Sequence, residues 1–340
     1  MSRIILSADW HVEKGMKINS ILIFLDTILK YYLENNIDYV FILGDIFDRA
    51  SNIKNEAFIP LFLKLYEMKG KGVKFLFIVG NHDQFLTDGS SIVETFAPLG
   101  IVIKEKTHSS AIPGLEDKDW FFMPYTKKQE ELPEAGDVLF THLSIANFSF
   151  DNAYHATEKH AFPTKLFENF SKTFLGHFHR HQVQGNIIYA GSPIQLTRSE
   201  EGVKKGFIIF DDEDQDNWSF IEFDDYPKYL TITSSNIKNI AEMNFENKLV
   251  YVKIDKKIND FVKLKYILYD RGAIDVTPIF ENEDTQIILE NKIELDDNVE
   301  NIAKEYISNI KLEEIKGIDV EGINKDVLLK IFEHVVGNCK

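Results

Sequence analysis

The amino-acid sequence predicts an α/β protein built on a parallel sheet, with a second sheet packed against the first. Three observations predict it. Residues 4–79 alternate apolar runs with amphipathic stretches in the order β-α-β-α-β. From residue 101 the pattern changes to short apolar runs with less helix between them. At 340 residues the chain exceeds one small core and suits two domains, or one large domain with appendages.

Residues 4–8 read as a buried strand, and 18–34 as a helix because Ile21, Leu22, Leu25, Ile28, Leu29 and Tyr32 recur at helical spacing. A strand at 39–43, a helix at 55–68 ended by Gly70 and Gly72, and a strand at 73–79 follow. Strands joined by crossover helices run parallel. Later strands are predicted at 120–123, 138–142, 173–176, 187–190, 206–211 and 218–223, all assigned to the second sheet. Residues 144–165 have no clear period and read as a loop with a short helix. Their aromatics, among them Phe148, Phe150, Tyr154 and Phe162, are taken as lid or packing residues ahead of stacking platforms for bases. The acidic run 211–216 is a solvated hairpin turn.

Beyond residue 225, strands at 230–233, 248–254 and 275–280 and a helix at 260–270 are enough for a small α/β domain, 226–292. Residues 293–340 are predicted to be helical. One stripe runs Val299, Ile302, Ala303, Tyr306, Ile307, Ile310, opened by Asp297 and Glu300. A second runs Ile323, Val327, Leu328, Ile331, Phe332, Val335, Val336. Packing on the body and docking on another protein are equally open readings of these helices.

Composition narrows the function classes. The single cysteine, Cys339, excludes an internal disulfide and points to a reducing setting. The N-terminal apolar run is too short for a signal peptide and no stretch approaches a membrane span, so a cytoplasmic location is expected. The net charge of -16, with only five arginines, argues against a chain that grips nucleic acid alone. Bound divalent cations or a partner subunit would have to change the local sign.

Metal-capable side chains gather just past the predicted strands. Asp9-Trp10-His11 follows the first, Gly44-Asp45-Ile46-Phe47-Asp48-Arg49 the second and Gly80-Asn81-His82-Asp83 the third. Thr141-His142 and Gly176-His177-Phe178-His179 end two later strands. Asp9, Asp45 and Asn81 are spaced 36 residues apart and arrive at one C-terminal sheet edge, where open α/β sheets place their sites. Carboxylate, amide and imidazole without thiolate suit borderline-hard ions such as manganese. Seven ligands hold two ions if one carboxylate bridges, and Asp45 on the central strand is the natural bridge. Any one motif has a bland alternative, since a lone His142 or an alternating His pair can simply line a polar face. Five together at strand ends point to a metal centre. His108, His155, His160, His181 and His334 lack such context.

The order of these motifs resembles the calcineurin-like metallophosphoesterase superfamily across residues 9–179. The Asp-Trp-His opening, Gly-Asp-Ile-Phe-Asp, and Tyr189-Ala190-Gly191-Ser192-Pro193 followed by Lys205-Gly206-Phe207 resemble the SbcD type of DNA repair exonuclease subunit, with a compact length that fits a phage member. The resemblance implies a two-sheet α-β-β-α metallophosphoesterase sandwich over residues 1–225, a small α/β capping domain at 226–292 that helps admit DNA, and C-terminal helices at 293–340 that bind an SbcC-like SMC-type ATPase. It implies that Asp9, His11, Asp45 and His179 hold one metal, and that Asp45, Asn81, His142 and His177 hold the other, the expected pair being two Mn2+ ions. His82 would face the phosphate as a catalytic residue, Asp48 would orient it, and Arg49 would reach a phosphate oxygen. A homodimer acting on DNA in the cytoplasm, or the host cytoplasm for a phage protein, completes the expectation. The rivals are another phosphodiesterase or phosphatase of the superfamily, against which Asp83 weighs because phosphatases usually carry Glu there, and a non-catalytic scaffold at DNA ends.

Overall fold

The computed structural model describes residues 2–85, 90–149, 156, 161–213, 216–233, 235, 237–254 and 261–280. The chain divides into two compact units. The first comprises residues 1–232, 236–252 and 262–277; the second comprises 233–235, 253–261 and 278–340 and lies mostly outside the described residues. The predicted helical region 293–340 and the end of the 226–292 segment fall there as well.

The expected β-α-β-α-β start is present as β1 (Arg3–Ser7), α1 (Met16–Glu34), β2 (Tyr39–Leu43), α2 (Asn55–Gly70) and β3 (Phe75–Ile78), followed by β4 (Gly100–Ile103). β1, β2, β3 and β4 pair in parallel, with Leu6 opposite Phe41, Phe41 opposite Leu76 and Leu76 opposite Ile101. That register brings the ends of the first three strands to one edge. α1 and α2 are helical for the reason their pattern suggests: Ile21, Phe24, Leu25 and Ile28, with Ala57, Leu61, Leu65 and Met68, form apolar stripes that pack on one face of this sheet.

The second sheet contains β5 (Thr107–His108), β6 (Trp120–Met123), β7 (Gly136–His142), β8 (Phe170–Gly176), β9 (Gln182–Gln184) and β10 (Ile187–Tyr189), in the order β5-β6-β7-β8-β10-β9. The sheets meet face to face. Ile4, Leu6, Phe41, Leu43, Leu76 and Ile78 from the first interdigitate with Trp120, Phe122, Val138, Phe140, Phe174 and Ile188 from the second. The two-residue period of a strand sends these residues to one side and their neighbours to the other. Phe41 sits edge-on to Phe122 and Phe140, at 5.5 and 5.2 Å between centroids. Each such buried side chain contributes roughly 1.5–3 kcal/mol over exposure. The outer face of the second sheet is covered by the segments around Ile145, Phe148, Phe162 and Phe167 and by a 3-10 turn at Thr164–Phe167. Phe148 and Phe162 are thus packing residues, while Phe150 and Tyr154 lie outside the described residues.

One assignment is corrected. The runs at 206–211 and 218–223, expected in the second sheet, are β11 (Gly206–Asp211) and β12 (Trp218–Glu222), and they extend the first sheet in the order β12-β11-β1-β2-β3-β4. β11 runs antiparallel to β1, with Leu6 opposite Ile208. The reason is an edge: without β11 the buried β1 would leave its outer N–H and C=O groups unpaired, and β11, buried along its whole length, supplies partners. β11 and β12 pair antiparallel, as a hairpin requires, but the start of the acidic run is not solvated: Asp211 is buried in β11, and the buried Asp212 carboxylate meets Lys118 Nζ at 2.9 Å.

A three-stranded sheet of β13 (Lys228–Ile232), β14 (Lys248–Ile254) and β15 (Ala273–Phe280), with α3 (Phe261–Asp270), follows. β13 and the larger parts of β14 and β15 belong to the first unit. Tyr229 N donates to Gln195 Oε1 at 2.8 Å and Thr231 N to Glu201 Oε1 at 2.9 Å, which ties β13 to the turn after β10.

Candidate active site

The loops leaving β1, β2, β3, β7 and β8 converge, and with them all seven predicted ligands. Asp9, His11 and His179 form one group of potential metal-binding atoms, Asp45, His142 and His177 a second, and His11, Asp48 and His82 a third that shares His11 with the first. In the first, His11 Nε2 and His179 Nε2 point at each other across 3.1 Å. In the second, Asn81 Oδ1 lies 3.1 Å from His142 Nε2 and 2.9 Å from His177 Nδ1. Asp45 stands between them, its Oδ2 3.2 Å from His142 Nε2 and 3.6 Å from His11 Nε2. A single carboxylate oxygen within reach of both groups is the geometry of a bridging ligand.

The backbone is bent to make this possible. Asp9, His11, Asp45 and His177 all have positive φ, at 54°, 42°, 53° and 102°. Non-glycine residues there are disfavoured, and such strain persists only where the surroundings enforce it. Asp9 is clamped by the His177 amide, which donates to its Oδ1 at 2.9 Å, and His82 N donates to Asp45 Oδ1 at 2.9 Å. Gly80 is required at its position because a Cβ would collide with the side chain and amide of Asp45.

Burial and crowding shape the charges. Burial, together with the nearby Asp45 charge, raises the Asp9 carboxyl above its ordinary range, although neighbouring imidazoles oppose this. Burial acts against the charged form of Asp45 too, but His142 overrides it and holds the carboxyl low. His142 is itself brought up to about 9 by Asp45 against the effect of its burial, while burial and the adjacent His142 push His177 down to about 3. Buried carboxyl groups and imidazoles crowded against one another form a donor set that divalent cations satisfy by displacing protons, and oxygen and nitrogen donors without sulfur suit borderline-hard ions. The residues therefore fit two metals. His142 gives Nδ1–H to the Leu43 carbonyl at 2.7 Å, which leaves Nε2 as the free donor.

The remaining predicted residues separate. His82 is partly exposed beside the first group, its ring 4.7 Å from that of His11 between centroids. Its Nδ1 lies 2.5 Å from the Asp48 main-chain carbonyl. The Asp48 carboxylate turns instead to His11, with Oδ1 3.6 Å from Nδ1, and that imidazole draws its pKa down. The Asp48 atom that contacts His82 is therefore the main-chain carbonyl and not the expected carboxylate, because the turn after Asp45 directs the carbonyl at His82. Arg49 is 75% exposed, 3.9 Å from Asp48 through Nε. It lines a cleft of about 440 Å3 with Lys14, Asp48, Asn52 and Lys54. Asp83 is fully buried and ties the loops together, with Oδ1 accepting from Ile46 N and Phe47 N at 3.0 and 3.1 Å and Oδ2 from Gly80 N at 3.1 Å. Burial first, and then the Asp45 charge, push its carboxyl up to about 7.

Two residues beside the site, Glu200 and Lys205, were not among the predicted site residues. Glu200 Oε1 is 2.9 Å from His179 Nδ1, and its Oε2 is 2.7 Å from Lys205 Nζ. Burial would raise the Glu200 carboxyl, but the His179 hydrogen bond and the Lys205 charge bring it down to about 2. The only local signal was an acid in a polar turn shortly before the buried strand opened by Lys205-Gly206-Phe207. Of the histidines left aside, His108 pairs with Asp119 and His181 stacks on Phe220, both away from the ligand groups.

A family model for calcineurin-like phosphoesterases matches residues 2–206. The chain is similar to exonuclease subunit 1 of Enterobacteria phage T4, at 20% identity over 352 residues that cover 96% of each chain. Among solved structures it is similar to Yfce, a phosphoesterase from E. coli, at 16% identity and a TM-score of 0.32 over 62% of this chain and 88% of that one. It is also similar to a dimetal phosphatase from Danio rerio, at 11% identity and a TM-score of 0.36 over 61% of this chain and 91% of that one. Among the described residues no helix is long and apolar enough to cross a membrane.

Proposed function

The chain belongs to the calcineurin-like phosphoesterase family, and from that premise we propose that it is a manganese-dependent nuclease subunit that hydrolyses phosphodiester bonds at DNA ends, with exonuclease and some endonuclease activity. The observation that carries the reading is Asp45 Oδ2 standing between two groups of nitrogen and oxygen donors. The end-to-end similarity to a phage exonuclease subunit supports DNA as the substrate.

Asp9, His11, Asp45 and His179 would hold one ion, and Asp45, Asn81, His142 and His177 the other. When bound, the pair supplies Lewis acidity and charge neutralisation for an in-line displacement at phosphorus. His82, held through Nδ1 by the Asp48 carbonyl, presents Nε2 to the phosphate, where it stabilises the transition state or carries the proton given to the leaving oxygen. Arg49, on the rim of the cleft, reaches a phosphate oxygen of the substrate.

The net charge of -16 supports dependence on an SbcC-like SMC-type ATPase to bring DNA to the site, with residues 293–340 as its docking segment and 226–292 as the capping domain. Ile59, Leu63 and Tyr66 form an exposed apolar stripe on α2 that supports pairing with a second copy of the chain. The test is cleavage of blunt and overhanging duplexes with Mn2+, with and without such an ATPase, beside a phosphomonoester. Hydrolysis of the monoester alone would move the assignment to a phosphatase, and no hydrolysis of either would leave a scaffold.

A further inference from the structure

We propose that Glu200, clamped by Lys205, is a positioning residue of the metal centre: it fixes the ring of His179 so that Nε2 faces Asp9 and His11. The inference rests on the two-metal reading above and concerns residues that reading leaves without a role.

Glu200 and Lys205 form a buried ion pair, with side chains 6% and 0% exposed. The Lys205 ammonium spends its donors on Glu200 Oε2, the His179 carbonyl and Ser192 Oγ, each at 2.7 Å. Leu196 N adds a hydrogen bond to Glu200 Oε2 at 2.9 Å. With Oε2 held on two sides, Oε1 is directed at His179 Nδ1, 2.9 Å away. Lys205 therefore grips both the carboxylate and the main chain of the histidine that the carboxylate orients.

A buried ion pair contributes little net stability, because desolvating both charges offsets their attraction. Its placement against one particular imidazole has a chemical consequence. A histidine that donates Nδ1–H to a carboxylate is locked in the tautomer whose Nε2 lone pair is free, and that nitrogen becomes a better donor to a cation. His179 Nε2 is the atom that faces His11 Nε2 at 3.1 Å. Glu200 belongs to none of the three groups of potential ligand atoms and does not line the cleft, so it acts through His179 and not as a ligand. Its neighbour Glu201 makes a contrast: that carboxylate serves Thr231 N and Oγ1 on β13, and loss of its charge leaves His179 untouched.

The experiment is Mn2+ binding to the full chain by titration calorimetry, with thermal unfolding of each variant as the check on folding. Glu200→Gln is expected to weaken one of two sites by about 10- to 100-fold while the other keeps its affinity. Because Glu200→Gln leaves Lys205 buried without its partner, the double variant Glu200→Gln/Lys205→Met removes both charges and keeps the test valid if the single variant fails to fold. Glu201→Gln is expected to bind as the wild type does. Two wild-type sites in a folded double variant, equal weakening of both sites, or the same loss in Glu201→Gln would each overturn the inference. A wild-type chain that binds no Mn2+ would instead overturn the two-metal reading, and this inference with it.

Discussion

Replacing Asp48 by Asn separates two ways of holding the imidazole of His82, the proposed catalytic residue. The contact to His82 Nδ1 is made by the Asp48 main-chain carbonyl at 2.5 Å, so the substitution leaves it in place. What is lost is the carboxylate charge, 3.6 Å from His11 Nδ1 and 3.9 Å from Arg49 Nε, on a side chain 36% exposed. Ion pairs in such surroundings contribute about 0.2–1 kcal/mol. At about 1.4 kcal/mol per tenfold in rate, kcat should fall by about fivefold or less. Had the carboxylate oriented His82, its removal would cut into general acid catalysis, which contributes about 10²- to 10⁴-fold. The assay is duplex cleavage at saturating Mn2+, so that any weakening through His11 is filled by mass action. A loss above 100-fold with two Mn2+ still bound would refute the backbone account.

Three further outcomes are expected. His82→Ala should abolish cleavage while Mn2+ titration still finds two sites, since His82 is in neither of the two proposed ligand sets; activity in a metal-loaded variant would end the proposed catalytic assignment. Asp83→Ala should cost about 3 kcal/mol in denaturant unfolding, because the amides of Ile46, Phe47 and Gly80 lose a buried carboxylate acceptor. Chelation should lower the melting temperature and Mn2+ should restore it, a site held at about 100 times its Kd adding about 2.7 kcal/mol; an unchanged melting temperature would contradict a preformed metal centre.

Much of this protein is written locally. The strands at 39–43, 120–123 and 206–211 were legible to the residue because an apolar run bounded by polar or glycine residues has one local interpretation. β5 and β9 were not, since two or three residues at a sheet edge carry no period. Asp9, Asp45, Asn81, His142, His177 and His179 were findable because ligand-type residues stood just past strands whose parallel register was itself predictable.

The sequence by itself determined which residues could serve a metal centre and at which edge they would gather, because residue type and strand periodicity are properties of a few neighbouring positions. Only the tertiary structure decided that β11 joins β1, that Asp48 offers His82 a carbonyl while its carboxylate faces His11, and that Glu200 and Lys205 close around His179. Each of these is a choice among long-range partners. A chain meeting itself across some 200 residues, as β1 meets β11, selects partners by unmet hydrogen bonds and available space, and neither is encoded in local spacing.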